Sequence, residues 1–190
     1  SADYSQIELR LLAHFSKDEH LISAFNNDID IHTATASKVF DVPVDEVTKE
    51  MRRKAKAVNF GIVYGQSSFG LSEALGITPF EAREFIDKYF DTYPKVKQFM
   101  DSTKEFAHQY GYVETMYGRR RYLGEELSSR NRNIREFAER AAINTPLQGS
   151  AADLIKLAMI DVYDKLKNSN LPAKMILQVH DELVFEISKN

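Results

Sequence analysis

Cysteine is absent from this 190-residue sequence, which excludes a disulfide framework and thiolate metal sites and fits a reducing compartment, with the cytoplasm as the default expectation. No apolar run approaches the roughly 18 residues of a membrane span. The opening stretch SADYSQIELR also lacks the basic-then-apolar layout of a signal peptide, so a soluble protein is expected. An excess of positive charge is missing too. With 25 Lys+Arg against 28 Asp+Glu the formal net charge is -3, and any nucleic-acid footprint must be local. Internal repeats, low-complexity tracts and linkers are likewise lacking. The chain starts on Ser1 rather than Met and enters a patterned segment almost at once, which reads as a piece of a longer protein. What remains is ordinary globular composition, 43% hydrophobic, enough for one sizeable core or a core plus a smaller lobe.

Periodicity divides the chain into a long helical block flanked by strands. Ser1 to Tyr4 reads as a short strand, and Ile7, Leu11, Leu12 and Phe15 at helical spacing start a helix behind it. FNNDIDIH reads as a loop before a helix from about Thr33 to Phe40, broken by Val42-Pro43. Thr48 is a plausible N-cap for a helix reaching Tyr64, and Gly61, Gly65 and Gly70 loosen its end. Thr78-Pro79-Phe80-Glu81 has a capping-box layout, and Pro94 starts another helix that Gly111 ends. GYVETMYGRRRYLG reads as a turn or short hairpin. Ile134 to Ile143 is helical, Pro146 and Gly149 interrupt, and Ser150 to Asp153 caps a further helix. At the far end, Met-Ile-Leu-Gln-Val and Leu-Val-Phe-Glu-Ile form two strands around His180, Asp181 and Glu182. His-Asp is a poor hairpin turn, because such turns need positive φ and favour Asn-Gly or Asp-Gly. The expected fold class is α+β: the chain ends pair in one small antiparallel sheet and the helical block is inserted as a lobe.

Three groups of residues carry chemistry. Arg52, Lys56, Phe60 and Tyr64 recur every four residues and share one helix stripe, two cations followed by two rings. That order suits a nucleotide, with charge for a triphosphate and π-faces for a base. Taken alone, the stripe is also what a solvated basic face running into a core aromatic patch looks like. Asp3 and Asp181 lie at opposite ends of the sequence, yet a single sheet would bring them together, and a pair of carboxylates without thiols or a histidine cluster suits a hard cation such as Mg²⁺. Two such ions about 3.5–4 Å apart can activate an attacking oxygen and stabilise a leaving one. Glu182 alternates to the other face from Asp181 and ranks as accessory; His180 either contacts a phosphate or fixes the turn. Arg140, Asn144 and Gln148, spaced by four, offer a guanidinium and two carboxamides that can read phosphate, sugar and minor-groove acceptors. Capping and packing are the alternative for these, and a solvated surface is the alternative for Arg119, Arg120, Arg121, Arg130, Arg132 and Arg135.

Taken together, DYSQIELR, RRKAKAVNFGIVYG and QVHDELVFE resemble motifs A, B and C of the A-family DNA polymerases, in the same order and at matching long separations. The resemblance implies residues 1–25 as palm, 26–135 as fingers and 136–190 as palm again, without the thumb and the first part of the palm. It implies Asp3 and Asp181 as metal-binding carboxylates, the Tyr4 carbonyl as a further ligand, and Glu182 as an accessory catalytic acid. Arg52, Lys56 and His32 would hold the triphosphate, Phe60 would pack on the sugar, and Tyr64 would stack at the template and nascent pair. Glu8 would be the steric gate against a 2′-hydroxyl. Gln6, Arg140, Asn144, Gln148 and His180 would line the DNA. Implied cofactors are two Mg²⁺, with Mn²⁺ able to substitute; implied partners are primer-template DNA, deoxynucleoside triphosphates and the rest of the polymerase chain. Single-subunit RNA polymerases share the metal aspartates, but a steric gate is pointless there. A noncatalytic nucleic-acid-binding lobe would not need the aspartates, and a metal-dependent nuclease has no evident use for the cation-then-ring helix. One local departure is Leu123-Gly124-Glu125-Glu126, where many bacterial relatives have a Leu-Pro turn, which leaves the course of that loop open.

Overall fold

The computed structural model describes residues 1–188; positions 189 and 190, the end of the expected second palm part, lie outside them. Strand β1 (Ala2–Asp3) leads into α1 (Ile7–Ser16), α2 (Glu19–Asn26), α3 (Ile31–Phe40), α4 (Lys49–Val63), α5 (Ser68–Leu75), α6 (Pro79–Thr92) and α7 (Pro94–Tyr110). A hairpin of β2 (Tyr112–Glu114) and β3 (Arg120–Tyr122) follows, then α8 (Gly124–Leu127), α9 (Arg132–Asn144), α10 (Ser150–Lys167), β4 (Ala173–Val179) and β5 (Glu182–Ile187). The chain-end strands form one antiparallel sheet in the order β1-β5-β4. The α+β expectation holds.

Local chemistry explains most boundaries. The Thr48 hydroxyl accepts from the Met51 amide to start α4, and Thr78 and Glu81 form a reciprocal capping box at α6 with Pro79 at its first position. Gly111, at φ 74°, ends α7 where a side chain would be strained. Three readings need correction. The loop before α3 is shorter than expected, because Asp30 accepts from the Thr33 amide at 2.7 Å and caps the helix two residues early. His32 therefore stands in the first turn of a helix. Helices α2 and α5 were not anticipated; each is eight residues long, capped by Asp18 and Ser67 respectively, and shorter than the roughly 11 residues over which helical periodicity becomes diagnostic. Ser150 is no cap: α9 and α10 run on through a π-helical turn at Thr145–Gly149, whose wider register accommodates Pro146. The Ser150 hydroxyl instead accepts from the Met116 amide, and Asp153 pairs with Arg119 at 3.0 Å.

The main buried cluster contains Leu9 and Leu12 of α1, Ile31 of α3, Val58 and Ile62 of α4, Tyr89 of α6, Ile155 of α10 and Leu183 of β5. It crosses both expected palm-fingers boundaries, so helices of the insert share side-chain packing with the sheet that anchors them. A smaller cluster under the β2-β3 hairpin joins Ala107, Val113, Leu123, Leu127 and Ala138. Here the open loop after Tyr122 resolves as the single turn of α8. Apolar side chains stay exposed on α10, at Leu157, Ile160 and Tyr163, and on β4, at Ile176, Leu177 and Val179.

Candidate active site

A cavity of about 630 Å³ opens between the sheet tip and α4. Arg52, Lys56, Phe60 and Tyr64 form one wall, as their four-residue spacing predicts. The two rings run nearly parallel with centroids 6.3 Å apart, and His32 of α3 lies 5.8 Å from Phe60. Opposite them stand Gln6 and Glu8 from the start of the chain, Gln148 from the π turn, and His180 with Asp181 from the β4-β5 turn. Ten expected site residues, drawn from both chain ends and the middle, thus share one space.

The β4-β5 turn is only two residues long: Val179 pairs directly with Glu182 across it, so Glu182 opens β5 and does not belong to the turn. His180 takes φ 53°, a conformation uncommon for a residue with a side chain, and Gln178 donates from its amide to the His180 carbonyl at 2.9 Å to hold it. Gln6, the residue before α1, is also left-handed at φ 57°. Lys17, Asp28 and Asp41, by contrast, are left-handed just past helix C-termini, where that conformation is routine. Local strain is therefore concentrated at the two residues that aim chain ends into the cavity.

The carboxylates are placed differently. Asp3 is exposed on β1 and sits directly across from Glu182 in register, so these two acids share a face of the sheet. The Tyr4 amide donates to the Asp181 carbonyl at 3.4 Å, which ties β1 to the turn that carries Asp181. The Tyr4 carbonyl accepts from the Ile7 amide at 3.3 Å and keeps one lone pair free. Asp3, Tyr4 and Glu182 do not line the cavity but flank it from the adjoining strands. Among the described residues no group of three or more His, Asp or Glu side chains is gathered to hold a metal. The donors at hand are hard oxygens on adjacent strands, a set that fits a strongly hydrated divalent cation which keeps several waters.

Glu8 and Tyr64 meet inside the cavity. Burial raises the Glu8 carboxyl above its ordinary range, the Tyr64 side chain pulls it back, and Asp181 pushes it up again. One Glu8 oxygen is buried with no hydrogen-bond partner. The Tyr64 phenol is raised in turn by burial, with Glu8 and Asp181 adding to it while Gln148 opposes. Farther along the α4 wall Arg52 donates through Nε and a terminal nitrogen to Asp30, the closer contact being 2.6 Å. Burial works against ionisation of Asp30, but the hydrogen bonds from Arg52 and Thr33 outweigh it and hold the carboxyl at about 2.

Arg140 and Asn144 lie outside this cavity. Arg140 lines a second one of about 430 Å³ with Gly65 and Gln66, behind the C-terminal end of α4. Gly65 has φ 62°, and a β-carbon there would stand 3.1 Å from Cγ of Arg140, so glycine lets the two segments touch. Asn144 keeps a buried carbonyl oxygen without a partner. The sequence reading passed over Asp30, Thr35, Asn59 and Tyr93, which support the wall from behind. The only advance signal was a carboxamide, Asn59, lodged between Val58 and Phe60 in an apolar stretch.

The family model for DNA polymerase family A matches residues 1–190. The chain belongs to that family. It is 63% identical over 189 residues to DNA polymerase I of Bacillus subtilis, covering 100% of this chain and 21% of that protein. Against DNA polymerase I of Caldicellulosiruptor bescii it is 60% identical over 185 residues, covering 97% and 22%. A solved structure of the POL domain of Pol1 from M. smegmatis, in complex with DNA primer-template and dNTP, is 50% identical and superposes with a TM-score of 0.93 over 98% of this chain and 33% of that one. This family A segment spans about a fifth of the length of the curated relatives it matches. No helix among the described residues is long and apolar enough to cross a membrane.

Proposed function

We propose that the segment forms the nucleotide-binding fingers (26–135) and part of the palm (1–25 and 136–190) of a template-directed DNA polymerase. The observation that supports this most is the convergence of the α4 stripe with Glu8, His180 and Asp181 on one cavity. The reaction would be in-line attack of a primer 3′-hydroxyl on the α-phosphate of a deoxynucleoside triphosphate, releasing pyrophosphate.

Arg52, Lys56 and His32 bind the triphosphate, Phe60 packs on the sugar, and Tyr64 stacks where the template base and the new pair meet. Glu8, fixed against Tyr64, fills the space a 2′-hydroxyl needs. Gln6, Gln148 and His180 face the primer terminus, while Asn144, and Arg140 through the second cavity, contact the template side. Asp3 and Asp181, with the Tyr4 carbonyl, hold Mg²⁺, for which Mn²⁺ can substitute, and Glu182 supports them as an accessory acid. Bound there, the metal supplies positive charge for activating the hydroxyl and stabilising the leaving group. The exposed apolar side chains of β4 and α10 fit an occupant from the remainder of the polymerase chain, and the segment alone, without a thumb to grip duplex DNA, is expected to be inactive.

The test is a full-length polymerase that carries this segment in place of the matching stretch of the Bacillus subtilis relative. It should extend a primer, and its Asp181→Ala variant should not. Normal extension by that variant would overturn the assignment in favour of a noncatalytic nucleic-acid-binding lobe.

A further inference from the structure

Behind His32 runs a chain of hydrogen bonds with no water-exposed member. Tyr93 is 2% exposed, Thr35 and Asn59 are 0%, and His32 is 3%. Thr35 Oγ1 donates to Asn59 Oδ1 at 3.2 Å, and Asn59 Nδ2 meets His32 Nδ1 at 3.0 Å. Thr35 Oγ1 also lies 3.2 Å from the Tyr93 hydroxyl. A threonine hydroxyl has one proton, and here it is given to Asn59. The Tyr93 hydroxyl must then donate to Thr35, and the order of donors is set along the whole chain. Asn59 presents an N–H to His32, so Nδ1 of the imidazole accepts and its proton resides on Nε2.

We propose that Asn59 is a positioning residue for nucleotide binding: backed by Thr35 and Tyr93, it holds His32 in the neutral Nε2–H form, so that this N–H is the donor offered to the phosphates in the cavity. The inference rests on the nucleotide-binding reading of the cavity and names the residue on which that binding depends. Protonation of His32 would put a second N–H on Nδ1, facing the Asn59 amide N–H, and the buried chain cannot absorb it without turning the carboxamide over. The charged groups around the ring agree on balance. Burial lowers its basicity, Asp30 at the N-terminus of α3 opposes, and Arg52 and Lys56 of α4 lower it further. At the junction of α6 and α7 the group behind Thr35 is Tyr93, which burial keeps protonated.

The experiment uses the same full-length polymerase. Asn59→Leu keeps the side chain's approximate volume and removes the donor; it should raise KM for the incoming nucleotide about tenfold with little change in kcat, the loss expected for one misdirected hydrogen bond to a charged group. In a His32→Gln background the same substitution should cost nothing more, since its effect passes through the imidazole. Asn59→Asp, which can accept from Nδ1–H, should make KM depend on pH between 6 and 8 where the parent enzyme is flat. ¹⁵N spectra of histidine-labelled parent enzyme should show the His32 proton on Nε2. An unchanged KM in Asn59→Leu, an equal penalty in the His32→Gln background, or a proton found on Nδ1 would each overturn the proposal. If the variants do not fold, the spectrum decides. Failure of the parent polymerase to extend primers at all would count against the function, whereas the tautomer tests this inference by itself.

Discussion

The two sides of the cavity are built on opposite plans. The helical wall of α3 and α4 is finished in advance: His32 is locked from behind, Arg52 is held by Asp30, and Phe60 and Tyr64 lie nearly parallel. The strand side is not. Asp3 is exposed, it faces Glu182 directly across the ladder, and like charges at such positions repel. Nothing among the described residues gathers a third acid there. Preorganised donors bind without a reorganisation cost, so the helical wall is suited to recognising a ligand, while on the proposed reading the strand side would depend on a bound cation.

The largest effect should come from the unfinished side. Asp3→Ala in the full-length polymerase should reduce kcat on the order of 10³-fold, about 4 kcal/mol in barrier, with no loss of thermal stability because the side chain is exposed and its removal relieves repulsion with Glu182. Steady-state primer extension and a melting curve check the two halves. A large fall in melting temperature would mean that Asp3 is structural, and the contrast between the two sides would collapse.

Glu8 stands where the two sides meet, and its removal should be intermediate in effect. With Glu8→Ala, discrimination against ribonucleotides should fall about 10²-fold, since selection against one extra hydroxyl by packing is of that order. Competitive incorporation of ribo- and deoxynucleotides reads this, and an unchanged ratio would remove Glu8 from the gate.

How much of this was visible beforehand differs between the sides in the same way. Apolar runs and helical spacing placed the terminal strands, α4, α6 and α7, and the residues of the stripe from Arg52 to Tyr64 line one wall. Those signals repeat along one element. The buried support did not show, because Thr35 and Asn59 come from two helices and Tyr93 from the junction of α6 and α7, and no spacing within any one element announces a shared hydrogen bond. The π turn was equally hidden: Pro and Gly ordinarily stop a helix, and only packing of α9 against its neighbours reveals that this one continues. The cross-strand partnership of Asp3 with Glu182 needed the register of β1 on β5, two strands from opposite ends of the chain that no local turn connects.

Smaller effects test how firmly the helical wall is held. Asp30 both caps α3 and holds Arg52, and Asn is as good a cap as Asp while lacking the charge. Asp30→Asn therefore isolates the ion pair, and Asp30→Ala removes pair and cap together. The carboxyl is depressed from 3.8 to about 2, so its contribution to stability is present above the ordinary value and lost as pH falls through about 2. Both partners are more than a third exposed, and solvent screening limits the pair to about 1 kcal/mol at most. Asp30→Asn should flatten the acid limb of unfolding between pH 4 and 2, with a modest rise in KM as Arg52 loses its orientation. An identical limb in parent and variant would show that the pair contributes nothing.

The smallest effect belongs to Gly61, at the opposite end of α4 from Arg52. Alanine should gain about 1 kcal/mol of helix propensity over glycine there. Its β-carbon, however, would stand 2.9 Å from the side-chain oxygen of Gln66, which lies in a slot between Gly61 and Gly70. Gln66 is exposed, so its amide can swing outward for less than the propensity gain, and the net change in stability should fall within about 0.5 kcal/mol. Gln66 also lines the second cavity beside Arg140. If Gly61→Ala leaves stability unchanged and yet slows extension more than tenfold, the slot for Gln66 is part of the template side of the site, and the prebuilt wall extends past Tyr64. If both stay unchanged, the wall ends at Tyr64 and the glycines serve only to let α5 fold back on α4.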